Sequence, residues 1–259
     1  MAIECVKTGI EGLDKALNGG IPKKNIVLVS GGAGTGKSTL CMQFLVNGCT
    51  KYGEKGLYVS TEQNESELKK AASNFGWDLD GPIKSGKLKI VYYDVLLTDS
   101  FLEKIVNIYN QFQPKRIVID SLTTLTDSLL VSIDTNKDQP FTLIRIEENL
   151  SPIPKSERIV AKTLLYHLIG KLKLFDSTIM MSSELLEDVK GLSADEISEF
   201  ICDGVLVLHY LGIAGADSRT LQIRKMRYTD HNKSYIPYEM NSANGIEVHI
   251  EQAMDVLMK

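Results

Sequence analysis

The sequence is short of the features that mark secreted, membrane-spanning or strongly basic proteins. It has only four cysteines, Cys5, Cys41, Cys49 and Cys202, with no C-x-x-C pairing and no histidine nearby. That pattern argues against a disulfide framework or a zinc site and reads as reduced thiols. No apolar run reaches the ~18 residues of a membrane span, and Met1–Cys5 does not have the make-up of a signal peptide. A cytoplasmic location with no membrane association is therefore expected. Positive charge is not in excess either. The formal net charge is −4, so nothing global draws the chain to nucleic acid, although a local basic patch stays open.

With 43% apolar and 24% charged residues, the 259-residue chain has an ordinary globular composition and enough length for a sizeable core. One large domain over 1–259 is the simplest expectation. One stretch organises it: Gly31-Gly32-Ala33-Gly34-Thr35-Gly36-Lys37-Ser38 fits G-x-x-x-x-G-K-[ST], the phosphate-binding P-loop. Small residues let the backbone curl so that several N–H groups face phosphate oxygens. Lys37 supplies a cation for the β- and γ-phosphates of ATP, and the Ser38 hydroxyl can ligate Mg²⁺. The context fits as well. Asn25–Ser30 is an apolar, β-branched run that reads as a buried strand, and Thr39–Val46 has no helix breaker. Strand, loop and helix together set the phosphates at a helix N-terminus.

Further along, Gly56–Thr61, Leu88–Tyr93, Arg116–Asp120, Thr178–Ser182 and Gly204–Leu208 read as strands. They alternate with helical stretches at Glu65–Phe75, Ser100–Phe112 and Val160–Leu174. That rhythm predicts an α/β fold with a mostly parallel sheet flanked by helices. Before the P-loop, Thr8–Leu17 reads as a short helix starting near Thr8 or Glu11, and Ser66 or Asn64 is the expected cap of the helix from Glu65. Thr220–Met226 and Ser234–Met240 read as a C-terminal β-hairpin. Residues 128–158 break the rhythm: they hold Pro140, Pro152 and Pro154 and one alternating segment, Phe141–Ile146. A stretch this long between core elements is a partner-binding or DNA-facing excursion, or a neutral surface insertion.

Asp120 ends an apolar strand, which is where a Walker B carboxylate holds Mg²⁺ directly or through water. Glu62 ends the second strand on the same sheet edge, where a carboxylate can polarise the water that attacks the γ-phosphate.

A family resemblance runs through nearly the whole chain. Thr8–Asp14, Gly19–Pro22, Gly34–Thr39, Asn74–Leu79, Ile119–Thr123 and Lys225–His231 are similar to the RecA-type ATPases of the KaiC branch. The resemblance implies a RecA-like P-loop core that binds ATP through Gly31–Thr39 and assembles into a ring, usually a hexamer, with ATP at subunit interfaces. The family commonly places a Glu-Glu pair after the second strand. Here that pair reads Glu62-Gln63, so Glu62 inherits the catalytic role and the second acid is absent. Lys225 and Arg227 match cations that approach a neighbour's γ-phosphate, and positions i and i+2 of a strand share one face. His231 and Lys233 match residues near the neighbouring nucleotide, and Asn74 falls within a matching motif counted with the nucleotide site. KaiC itself carries two such domains, one of which autophosphorylates on adjacent Ser and Thr. The matching place here, Glu199–Gly204, is like the other half, so no phosphorylation clock is expected.

Three functions are compatible with these residues. The first is a KaiC-like ATPase whose turnover drives or times a change in ring shape that a partner reads. The second is a recombination accessory that binds single-stranded DNA, for which 128–158 offers only Lys137, Arg145, Lys155 and Arg158. The third is a nucleotide-sensing scaffold with negligible turnover, suggested by Gln63.

Overall fold

The computed structural model describes residues 3–93, 101–131, 141–146, 149–154, 157–185, 191–213 and 216–253. The chain opens with β1 (Cys5–Val6), α1 (Glu11–Ala16) and β2 (Ile21–Pro22). It continues through β3 (Ile26–Gly31), α2 (Lys37–Lys51), β4 (Gly56–Ser60), α3 (Glu65–Ser73), α4 (Asp80–Lys84) and β5 (Leu88–Tyr92). Then come α5 (Phe101–Phe112), β6 (Arg116–Asp120), α6 (Leu122–Val131), β7 (Phe141–Ile146), β8 (Asn149–Pro154), α7 (Glu157–Leu172) and β9 (Thr178–Glu184). The last elements are α8 (Ser198–Ile201), β10 (Gly204–Ile213), β11 (Ala216–Met226), β12 (Tyr235–Asn241) and β13 (Gly245–Val248).

Nine strands form one sheet in the order β13-β12-β11-β10-β3-β9-β6-β4-β5. The run from β10 to β5 is parallel, and β11, β12 and β13 add to it antiparallel. This is the expected α/β architecture. The parallel strands are apolar throughout because both faces are covered. Val27, Val29, Tyr58 and Val118 point toward α2, whereas Leu28, Leu57, Val59 and Ile117 point toward α5 and α7.

The C-terminal hairpin exists as β11 and β12, with Arg219 opposite Tyr238 and Leu221 opposite Ile236. It is not an isolated ribbon, since β10 and β13 pair on either side of it. Asn64 caps α3 in a reciprocal box with Glu67. α1 starts at Glu11, one of the two expected starts, with Ile10 at the N-cap and no side-chain cap, and Thr8 gives its N–H and hydroxyl to Asp14 at 2.7 and 2.8 Å. The 128–158 excursion includes the antiparallel pair β7–β8. Pro152 and Pro154 fit there because a two-stranded ribbon has a free edge on each side. Lys137 and Lys155 lie outside the described residues, and for Arg145 and Arg158 only the backbone is described. All four cysteines are free thiols. Among the described residues no helix is long and apolar enough to cross a membrane.

At the start of β6, Arg116 is only 1% exposed. Its Nε donates to Glu54 at 2.5 Å, another nitrogen donates to the Phe44 carbonyl at 2.9 Å, and the guanidinium lies over the Phe44 ring. Gly48 makes room for it, because a Cβ there would sit 2.5 Å from Arg116 Cδ. Removing one partner of such a pair leaves a buried charge uncompensated. Glu54→Ala is therefore expected to cost about 2–3 kcal/mol, somewhat under the full buried-pair penalty because Glu54 keeps partial exposure. Denaturant unfolding measures this, and unchanged stability would show that Phe44 alone carries the charge.

Candidate functional site

In parallel α/β sheets, ligands bind beyond the carboxyl ends of the strands. Here β3, β9, β6 and β4 are consecutive neighbours in the sheet, and each delivers a polar group at that edge. At ~4.8 Å per strand they span about 14 Å, the scale of a nucleotide triphosphate with its metal.

From β3 comes the loop. Gly34 and Gly36 take φ of 72° and 90°, a region that favours glycine, and Gly36 leads into α2. Thr35 is buried, and its hydroxyl donates to the Gly32 carbonyl at 2.9 Å. Its own carbonyl accepts from the Tyr238 hydroxyl of β12 at 2.5 Å. Met240 closes the other side, because a Cβ at Gly36 would meet its sulfur at 2.9 Å. Gly31 is buried, Gly32 half-buried, and Ala33, Gly34 and Ser38 are exposed, with Thr39 half-buried beyond them. Lys37 donates to the Gly32 carbonyl at 2.9 Å. Burial pushes its pKa down, against the opposing pull of Glu184, Asp120 and Glu62. A partly desolvated ammonium under the pull of three carboxylates is suited to a place where phosphate oxygens and a divalent cation would balance charge.

From β6 comes Asp120, which is buried. Its Oδ2 accepts from the Tyr58 hydroxyl at 2.5 Å and its Oδ1 from the Ser182 hydroxyl. From β4 comes Glu62, an exposed residue. Its Oε1 accepts from Ser121 at 2.7 Å and Thr124 at 2.8 Å. Among the described residues its Oε2 has no hydrogen-bond partner. One oxygen is thus fixed while the other is available to accept a proton, the arrangement a general base needs. Gln63 is exposed, its backbone N–H bonded to the Ser60 hydroxyl at 2.9 Å. The donor set fits Mg²⁺, which keeps waters and uses one or two protein groups alongside substrate phosphates. Ser38, exposed at the start of α2, and Asp120, at the end of β6, could serve as such groups.

Glu184, from the end of β9 opposite Gly31, is the acid with the strongest electrostatic pull on Lys37. Sequence reasoning missed it by closing that strand at Ser182. The rule applied to Asp120 and Glu62, an acid at the end of an apolar strand, would have found it.

The remaining candidates sit elsewhere. Lys225 and Arg227 meet at the corner between α8 and β10. Lys225 donates to the carbonyls of Glu199, Phe200 and Cys202 at 3.0, 3.1 and 2.6 Å, and Arg227 donates to Asp203 at 3.1 Å. Lys225 lies level with Leu28, and the Asp203 carbonyl holds the Arg227 N–H level with Ile26. Those levels are about 10 and about 16 Å along the strands from Gly31. The pair is together, as the shared strand face predicted, but away from the P-loop of its own chain. His231 and Lys233 occupy the turn before β12, which is tied to α1 by the Asn232 N–H on the Ala16 carbonyl. Asn74 ends α3 on the crossover that carries the chain back to the amino edge of β5, so it is not brought to the P-loop either.

Comparison with known proteins agrees with this fold. The family model described as "ATPase: KaiC" matches residues 6–146 and 146–253. The circadian clock oscillator protein KaiC of Parathermosynechococcus lividus is 29% identical over 98% of this chain, but the match spans 44% of that relative's own length. A UPF0273 protein of Thermotoga maritima is 30% identical, with 95% of this chain and 96% of the relative covered. The crystal structure of a KaiC-like protein from the hyperthermophilic archaeon Pyrococcus horikoshii OT3 superposes with a TM-score of 0.77 at 32% identity, covering 96% of this chain and all of that one. The motif-level likeness, the sheet order and these matches together make the chain a member of the KaiC ATPase family.

Proposed function

We propose that this protein binds ATP with Mg²⁺ on the P-loop Gly31–Thr39 and hydrolyses it in the cytoplasm, at a site that a neighbouring subunit of a homo-oligomeric ring completes. The observation that carries this reading is Glu62, held through Oε1 by two hydroxyls and open at Oε2, on the same edge as Lys37 and Asp120. In this mechanism backbone N–H groups of the loop and Lys37 would bind the phosphates, and Ser38 and Asp120 would hold the metal. When bound, Mg²⁺ neutralises charge that develops on the β- and γ-phosphate oxygens. Glu62 orients the attacking water and takes its proton, so the protein contributes mainly positioning and charge stabilisation.

The distance of Lys225 and Arg227 from their own P-loop supports a role toward a neighbour. Arg227 spends one nitrogen on Asp203 and keeps further donors for a phosphate, whereas all three N–H donors of Lys225 are committed to carbonyls. Arg227 is thus the better finger, with His231 and Lys233 beside it toward the neighbour's nucleotide. We take residues 1–259 as one RecA-like unit with 128–158 as an insertion that a protein partner contacts. Turnover in the ring would change its shape, and the partner would read that change.

Steady-state ATP hydrolysis across a range of protein concentrations, with and without single-stranded DNA, tests this. Specific activity is expected to rise with concentration and to ignore DNA. Concentration-independent turnover would remove the shared site, strong DNA stimulation would favour a recombination role, and tight binding without turnover would favour the scaffold suggested by Gln63.

A further inference from the structure

β4 is buried from Gly56 to Ser60, and an aromatic hydrocarbon would fill the place of Tyr58 as well as a phenol does. Tyr58 is fully buried against α2, in register with Val118 of β6. Asp120 lies two residues further along β6, so it shares the Val118 face, and Tyr58 leans diagonally across to reach it. On the other flank, β9 runs beside β6 with Met180 opposite Val118, which brings Ser182 alongside Asp120. The carboxylate is therefore gripped from both neighbouring strands, Oδ2 by Tyr58 at 2.5 Å and Oδ1 by Ser182. A carboxylate has about four acceptor positions, so two are occupied by donors anchored in the sheet. The rest remain for water, metal or Lys37.

We propose that Tyr58 is a positioning residue for the metal-side acid. Its hydroxyl, opposed by Ser182, fixes the plane of Asp120 so that one lone pair on each oxygen is turned to the metal position. This rests on the nucleotide reading given above. The electrostatics point the same way: Asp120 is among the charges that act on Lys37, on Tyr58 and on the neighbouring Cys41 thiol, so its orientation is felt across the site. Groups that orient metal ligands are typically worth ten- to a hundredfold in metal affinity or activity.

The test is Mn²⁺ binding, followed by electron paramagnetic resonance on the ATP-loaded protein, in the wild type, Tyr58→Phe and Ser182→Ala. Tyr58→Phe keeps the ring and removes only the hydroxyl. Its Mn²⁺ dissociation constant is expected to rise on the order of tenfold, with metal-free ATP affinity unchanged. Ser182→Ala, which leaves a smaller core change, is expected to do the same and serves if Tyr58→Phe does not fold. Unchanged Mn²⁺ affinity in a folded variant would overturn the proposal and reduce Tyr58 to core filling. A wild type that binds no Mn²⁺ with ATP would instead overturn the nucleotide reading itself.

Discussion

Glu62→Gln is expected to lower ATP turnover by about 10²-fold or more and to leave nucleotide affinity unchanged. Glutamine matches the shape of glutamate, and its amide oxygen can still accept from Ser121 and Thr124, so the loops after β4 and β6 stay laced together. They are also joined by the Thr61 N–H on the Asp120 carbonyl and the Ser121 N–H on the Thr61 hydroxyl, neither of which involves Glu62. What the amide lacks is a site that takes up a proton from water. Single-turnover hydrolysis and an ATP-binding isotherm on the same preparation separate the two effects. Equal turnover in the variant would remove Glu62 from the chemistry.

Arg227→Ala is expected to cost still more, about 10³-fold in turnover, the lower end of what arginine fingers contribute. The informative experiment mixes subunits. An Arg227→Ala subunit still has its own P-loop and Glu62, and a Glu62→Gln subunit still has Arg227. Where the first presents its nucleotide to the second, every part of one site is present. Mixing two inactive proteins should therefore restore a fraction of wild-type hydrolysis. No recovery across mixing ratios, with both variants folded and assembled, would mean that Arg227 serves its own chain or only holds Asp203.

Much of this site was legible before the fold was known. A P-loop is a contiguous motif whose chemistry dictates its residues, and a strand that ends in an acid announces itself by hydrophobicity giving way to charge. A cap at Asn64 or Ser66 was readable for the same local reason, and the structure selects Asn64. The unread parts depend on strand order. β3 lies between β10 and β9, neither of which is near it in sequence, so although Glu184 was readable as an acid ending a strand, nothing local said that its charge would act on Lys37. Tyr58 and Ser182 looked like ordinary members of buried runs, since periodicity reports that a side chain is inside but not which neighbour it meets. Arg116 passed unnoticed at the head of its strand because its partners, Glu54 and Phe44, come from other elements. The cations Lys225 and Arg227 were correctly paired by alternation, while their committed partners, backbone carbonyls and Asp203, were invisible to it.

The Tyr238 contact on Thr35 has a consequence for how neighbouring sites share information. Residues 235–238 are locked in ladder register with 219–222, and the turn between β11 and β12 carries His231 and Lys233, with Arg227 at its start. One stiff hairpin therefore touches its own phosphate loop at one end and carries the basic turn at the other. A shift of Thr35 on nucleotide release would then be transmitted along a few residues of sheet rather than through loose chain. In a closed ring such levers would link every site to the next, so occupancy of one would bias its neighbour, and ATP saturation would be cooperative rather than hyperbolic.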